Sequence, residues 1–81
     1  MPRYELGWVD VALELYVALP ARYQHVIDER VQQLLEDPAD ADCSHDEATD
    51  QWTTTDANGL GLIVYIFRVG QPRLVILRLV Y

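Results

Sequence analysis

The chain predicts an α+β domain in which a helical hairpin packs on one face of a four-stranded, mostly antiparallel sheet. Three observations point there. Residues Tyr4 to Val9 alternate with period two, as a half-buried strand does. Two segments with helical spacing follow, separated only by Pro20. The last twenty-two residues, LGLIVYIFRVGQPRLVILRLVY, form two β-branched and aromatic runs around Gly70-Gln71-Pro72-Arg73, where Gly and Pro supply a turn. The resulting order, strand, helix, helix, strand, strand, strand, is that of a layered α+β fold.

In the first strand Tyr4, Leu6 and Trp8 point one way, and Arg3, Glu5 and Gly7 the other. Asp10 then offers a helix N-cap, with Glu14 close enough to favour the first turn. Val11, Leu15, Ala18 and Leu19 give a short helix from about Val11 to Leu19. Pro20 breaks it, but proline is tolerated in the first turn of a second helix, from about Pro20 to Glu36. The apolar face of that helix is Tyr23, Val26, Ile27, Val31, Leu34 and Leu35, with Arg30 beside it. Asp37-Pro38 ends it, and two helices joined so tightly form a hairpin.

From Asp37 to Asp50 six of fourteen residues are acids and none is Lys or Arg, so the segment reads as a solvated acidic loop. Gln51 to Thr55 (QWTTT) reads as a strand, and Asp56-Ala57-Asn58-Gly59 as a hairpin connection in which Asn-Gly can take positive φ. In the next strand Ile63, Tyr65 and Phe67 lie opposite Leu62, Val64 and Ile66, and Arg68 continues the second set. Strict alternation in the last strand puts Arg78 with Ile76 and Val80, and Tyr81 on the opposite side. Both faces of these strands are apolar, so the face away from the helices is greasy and is expected to bind a second copy or another chain. The last apolar run continues to Tyr81, which is expected to be held in the fold together with its carboxylate.

Eighty-one residues make one domain, 1–81, and an apolar content of 51% is ample for its core. No apolar run approaches transmembrane length and MPRYELGWVD is not a signal peptide, so no membrane partner and a cytoplasmic location are expected. Cys43 is the only cysteine, which excludes an internal disulfide. Thirteen acids stand against six arginines and no lysine, for a net charge of −7. A chain so acidic is repelled by nucleic acid as a whole, so DNA is not an expected partner, although a local basic patch remains compatible with RNA. The lack of lysine, simplest as codon bias in a GC-rich genome, removes lysine-based phosphate contacts and Schiff-base chemistry.

Cys43, His45, Asp46 and Glu47 are ligand types in one loop, but a zinc site needs a second pair elsewhere, and His25 is the only other histidine. They read as a solvated loop, and His25 as a surface residue. Trp8 and Trp52 read as core residues rather than stacking platforms, and Thr53, Thr54 and Thr55 as strand formers rather than nucleophiles. GxGxxG, P-loop, CxxC-pair and HExxH motifs are all missing, so neither a cofactor nor a metal is expected.

In this order, the residues resemble the RelE/ParE superfamily of bacterial type II toxins across nearly the whole chain. The likeness rests on YELGWVDVALELYVALP, where an aromatic strand leads into an Ala- and Leu-bearing helix and a Leu-Pro junction. It continues with the second helix ending in LLEDP, then GLIVYIF and LVILRLVY. Membership implies either ribosome-dependent mRNA cleavage or inhibition of DNA gyrase, and an antitoxin that wraps across the toxin. Cleavage needs a proton removed from a 2′-hydroxyl, a phosphorane neutralised and a leaving oxygen protonated. Leu62 stands where the family carries a strand arginine, QWTTT replaces an Arg-rich strand, and Asp and Glu replace the basic residues before it. The family pattern then leaves Arg68 and Arg78 for charge neutralisation and Tyr81 for proton transfer. Each has a plainer role open to it: ion pairing for the arginines, and closing the core or a dimer contact for Tyr81. The resemblance implies a toxin-family protein of a toxin–antitoxin system, with ribosome-dependent mRNA cleavage through a degenerate active site as one activity open to it and a gyrase-directed one as the other. The alternative is a non-catalytic homodimer or protein-binding module on the same fold.

Overall fold

The computed structural model describes residues 3–81; Met1 and Pro2, the first two residues of the segment read as no signal peptide, lie outside the described residues. The described residues form strand β1 (Glu5–Trp8), helices α1 (Asp10–Ala18) and α2 (Ala21–Glu36), and strands β2 (Ser44–Asp46), β3 (Gln51–Thr55), β4 (Leu62–Phe67) and β5 (Arg73–Val80). The sheet runs β1-β5-β4-β3-β2. β1 lies parallel to β5, and every other pairing is antiparallel.

Helical spacing places α2 correctly because one face is continuously buried. Ile27, Val31, Leu34 and Leu35 pack with Ala12 of α1 against Ile63, Tyr65, Leu74, Ile76 and Leu79, and Val26 is buried on the same helix. Tyr4, Trp8, Trp52 and Phe67 border this core. Trp8 rests on Tyr16 with ring centroids 5.0 Å apart, and Phe67 meets Tyr4 edge-on at 5.7 Å. Asp10 is the first residue of α1 rather than its cap. Val9 occupies the cap position without a side-chain bond, so Asp10 acts only through its charge in the first turn.

Two differences from the sequence expectation matter for the site. The sheet has five strands, not four: β2 lies within the stretch read as solvated loop and pairs with β3. All three of its residues are exposed. A strand that buries nothing carries no hydrophobic alternation, so only backbone pairing announces it. The second difference is a register shift in β4–β5. Val64 faces Arg78 while Tyr65 faces Ile76, which leaves Leu77 as an inserted residue. A bulge inverts the alternation beyond it. Arg78 therefore lies on the opposite face from Ile76, not the same one, and Leu79 returns to the core beside it.

Candidate functional site

Both helices lie on one side of the sheet, and among the described residues no layer covers the other side. Register places Val75, Arg78 and Val80 of β5 there beside Ile66, Val64 and Leu62 of β4, then Thr53 of β3. Leu62 and Val80 face each other across the strands, 40% and 43% exposed, whereas Val64 is 5% exposed between its sheet neighbours. Arg73 belongs to this face too. A Cβ at Gly7 would lie 3.0 Å from both its Nε and its Nη2, so the guanidinium lies across the bare backbone of β1. A Cβ at position 7 would make it give way by a few tenths of an ångström. Among the described residues neither Arg73 nor Arg78 is in a salt bridge, although Glu5 stands opposite Arg73 in the β1–β5 register, on a chain of net charge −7. Arg30 and Arg68 are ion-paired, Arg3 donates to Gln32 and Arg22 lies over the Tyr23 ring.

The three sequence candidates are not gathered. Tyr81 lies at the start of β4. Its ring covers Gly61, where a Cβ would meet Cε2 and Cζ at 2.5 Å, and its edge meets Tyr23 of α2 at 5.8 Å. Its hydroxyl donates to Oδ2 of the buried Asp56, whose carboxylate also accepts from the backbone amides of Asn58, Leu60 and Gly61. Burial alone would raise the Asp56 pKa. The hydrogen bonds from Tyr81 and the three amides outweigh it and hold the group below its ordinary value. Burial, then the anion beside it, pushes the Tyr81 phenol up. The phenol is thus a donor committed to closing the β3–β4 connection. Arg68 follows the other end of β4, about 20 Å away at the rise of a strand. Arg78 lies between them on the open face, with the Tyr81 ring turned to the helix side.

Arg68 donates through Nη1 to Asp50 Oδ2 at 2.8 Å, and Asp50 Oδ1 lies 2.9 Å from His45 Nε2. Those bonds, from His45 first and Arg68 second, lower the Asp50 pKa. The His45 ring packs on Trp52, which in turn meets Phe67. So Trp52 joins the core edge to a surface cluster rather than being enclosed.

The largest polar arrangement centres on Arg30, which the apolar spacing of α2 passes over. Its Nη1 and Nη2 grip Oδ2 and Oδ1 of Asp40 at 2.8 and 2.9 Å, and Nε and Nη2 reach Thr54. Nη2 also approaches Cys43 Sγ at 3.4 Å, and the Tyr65 hydroxyl bonds Cys43 and the Pro38 carbonyl. The hydrogen bond from Arg30 leads in holding Asp40 down to about 2. Burial leads in pushing the Cys43 thiol up, so it stays protonated and unreactive. The acidic loop is therefore tied to the sheet through Asp40 and Cys43. The one signal for this in the sequence is a charged residue inside an otherwise apolar helical stripe. Among the described residues no cluster of three or more His, Cys, Asp or Glu side chains is arranged to hold a metal ion. No helix among them is long and apolar enough to cross a membrane.

No protein-family model, curated protein or solved structure matches this chain. The RelE/ParE likeness therefore rests on the sequence pattern, and the site has to be read from its own geometry. The open sheet face carries exposed Leu62 and Val80 beside Arg73 and Arg78. The separated Arg68, Arg78 and Tyr81 do not converge on one reacting atom.

Proposed function

We infer that this chain is a protein-binding module on a RelE/ParE-like fold, whose open sheet face takes an acidic amphipathic segment of a partner protein. The observation that carries this reading is the pairing of exposed Leu62 and Val80 with Arg73 and Arg78, two arginines of the same face that form no salt bridge among the described residues. A segment with apolar side chains on one side and Asp or Glu beside them would cover the first pair and neutralise the second. An antitoxin is one protein of that kind, as the family resemblance implies. The separation of Arg68 from Tyr81, and the Tyr81 hydroxyl held by Asp56, favour binding over mRNA cleavage.

Panning displayed amphipathic peptides on the purified protein tests this directly. Enriched sequences should carry Asp or Glu beside apolar residues, and an Arg73→Glu/Arg78→Glu protein should bind them about tenfold more weakly or worse. Neutral or basic winners, or equal recovery on the variant, would remove the acidic-partner reading. Light scattering should report a monomer. A dimer dissolved by Val80→Asp would make a second copy the occupant instead. Translated mRNA with ribosomes should stay intact. Cuts that vanish in Arg68→Ala and Tyr81→Phe would restore those residues as catalytic.

A further inference from the structure

The end of the sheet farthest from Tyr81 holds a cleft that the open face does not use. His45, Asp50, Trp52, Phe67, Arg68 and Val69 line it. Trp52 and Phe67 supply an aromatic floor, their centroids 5.3 Å apart at 40°. The His45 ring lies 4.6 Å from Trp52, and the exposed Arg68 and Val69 form a rim. Asp50, in the left-handed backbone region at φ 55°, orients the His45 and Arg68 side chains through its two carboxylate oxygens. Asp tolerates that region better than most residues, but it is sparsely populated, and such positions concentrate where side chains are being aimed.

Arg68 gives only Nη1 to Asp50; among the described residues its Nε and Nη2 make no hydrogen bond. A guanidinium with a free edge at the rim of an aromatic-floored cleft suits a ligand that is flat and carries a carboxylate. Asp46 and Glu47, in β2 and the β2–β3 turn, argue against a doubly charged phosphate or a nucleic acid strand.

We propose that this cleft binds an aromatic ring bearing a single carboxylate, presented either as a free aromatic acid or as the C-terminal aromatic residue of a peptide. The ring lies on Trp52 and Phe67, and the carboxylate takes the free edge of Arg68.

The test follows the two indole N–H signals of the 15N-labelled full chain while phenylacetate or N-acetyl-Gly-Phe is added. The Trp52 signal should move saturably and the Trp8 signal should stay. A dissociation constant on the order of 1 mM fits a ligand of about ten heavy atoms. Arg68→Gln, at an exposed position that leaves the fold intact, should weaken binding about tenfold. Benzyl alcohol, which lacks the charge, and acetate, which lacks the ring, should bind at least as weakly. Tighter binding of the peptide assigns the site to peptide C-termini, and tighter binding of phenylacetate to free aromatic acids. A Trp52 signal that ignores both probes at about 10 mM, or moves equally with acetate or in Arg68→Gln, would overturn the site.

Discussion

Two arginine–aspartate pairs with the same closest approach, 2.8 Å, sit at opposite ends of the solvent scale. Arg30 and Asp40 have side chains 6% and 23% exposed, against 63% and 52% for Arg68 and Asp50. Distance ranks the pairs as equal; surroundings separate them. Arg30 is enclosed between α2 and β3, and Asp40, Thr54, Gln33 and Cys43 meet its guanidinium. With that shell complete, no buried side-chain nitrogen or oxygen among the described residues lacks a partner. Removing one member leaves a charge stranded in a low-dielectric interior. Arg68 and Asp50 face water, which competes with each bond and screens the charges. The first pair is part of the fold, and the second is free to serve a ligand.

The sharpest way to break this contrast is Arg30→Ala. It should cost about 3–5 kcal/mol in urea unfolding, the range for breaking a buried pair, and a domain of this size has little more to lose. Arg30→Met with Asp40→Leu removes both charges together and should recover much of that loss. If the double variant is no more stable than the single, the pair is not what links α2 to the loop.

Acid should reach the buried pair next. The Asp40 pKa is depressed from its ordinary value of 3.8 to about 2 in the folded chain. Its contribution is therefore fully present above pH 3.8 and is lost as pH falls through 2. Linkage puts this at about 2 kcal/mol, measurable as a fall in unfolding midpoint between about pH 5 and pH 1 that Asp40→Asn abolishes.

A smaller effect is expected at the other end of the sheet. Tyr81→Phe keeps the ring on Gly61 but deletes the bond to Asp56, and should cost about 1–2 kcal/mol because three amides still hold the carboxylate. Calorimetry of the variant checks it. The smallest effect belongs to Arg68→Gln, whose melting temperature should match that of the parent within error at physiological salt. A clear drop there would mean that the exposed pair is structural after all.

Much of the architecture was legible because burial leaves a period in the sequence. The i, i+3, i+4 stripe of α2, the break at Pro20 and the apolar runs of β4 and β5 each follow from one buried face. The meander needed only the turn chemistry of Gly59 and Gly70, which take positive φ at 71° and 86°. β2 left no such trace, being exposed on both sides. The bulge at Leu77 is equally silent, since a run of Leu, Val and Ile reads the same in either register, and strict alternation therefore puts Ile76 and Arg78 on one side where the sheet separates them.

The candidate site divides along the same line. That Arg68, Arg78 and Tyr81 were the chain's notable polar and terminal groups could be read from residue types. Their separation, the engagement of Tyr81 by Asp56 and the solitude of Arg73 and Arg78 could not. Local composition and periodicity set the elements and the net charge, because both depend on neighbours a few residues away. Which arginine is buried, which is shared and which is left facing an open apolar surface depends on pairings between residues far apart in the chain, from Arg30 with Asp40 to Gly7 with Arg73, and only the packed sheet brings those together.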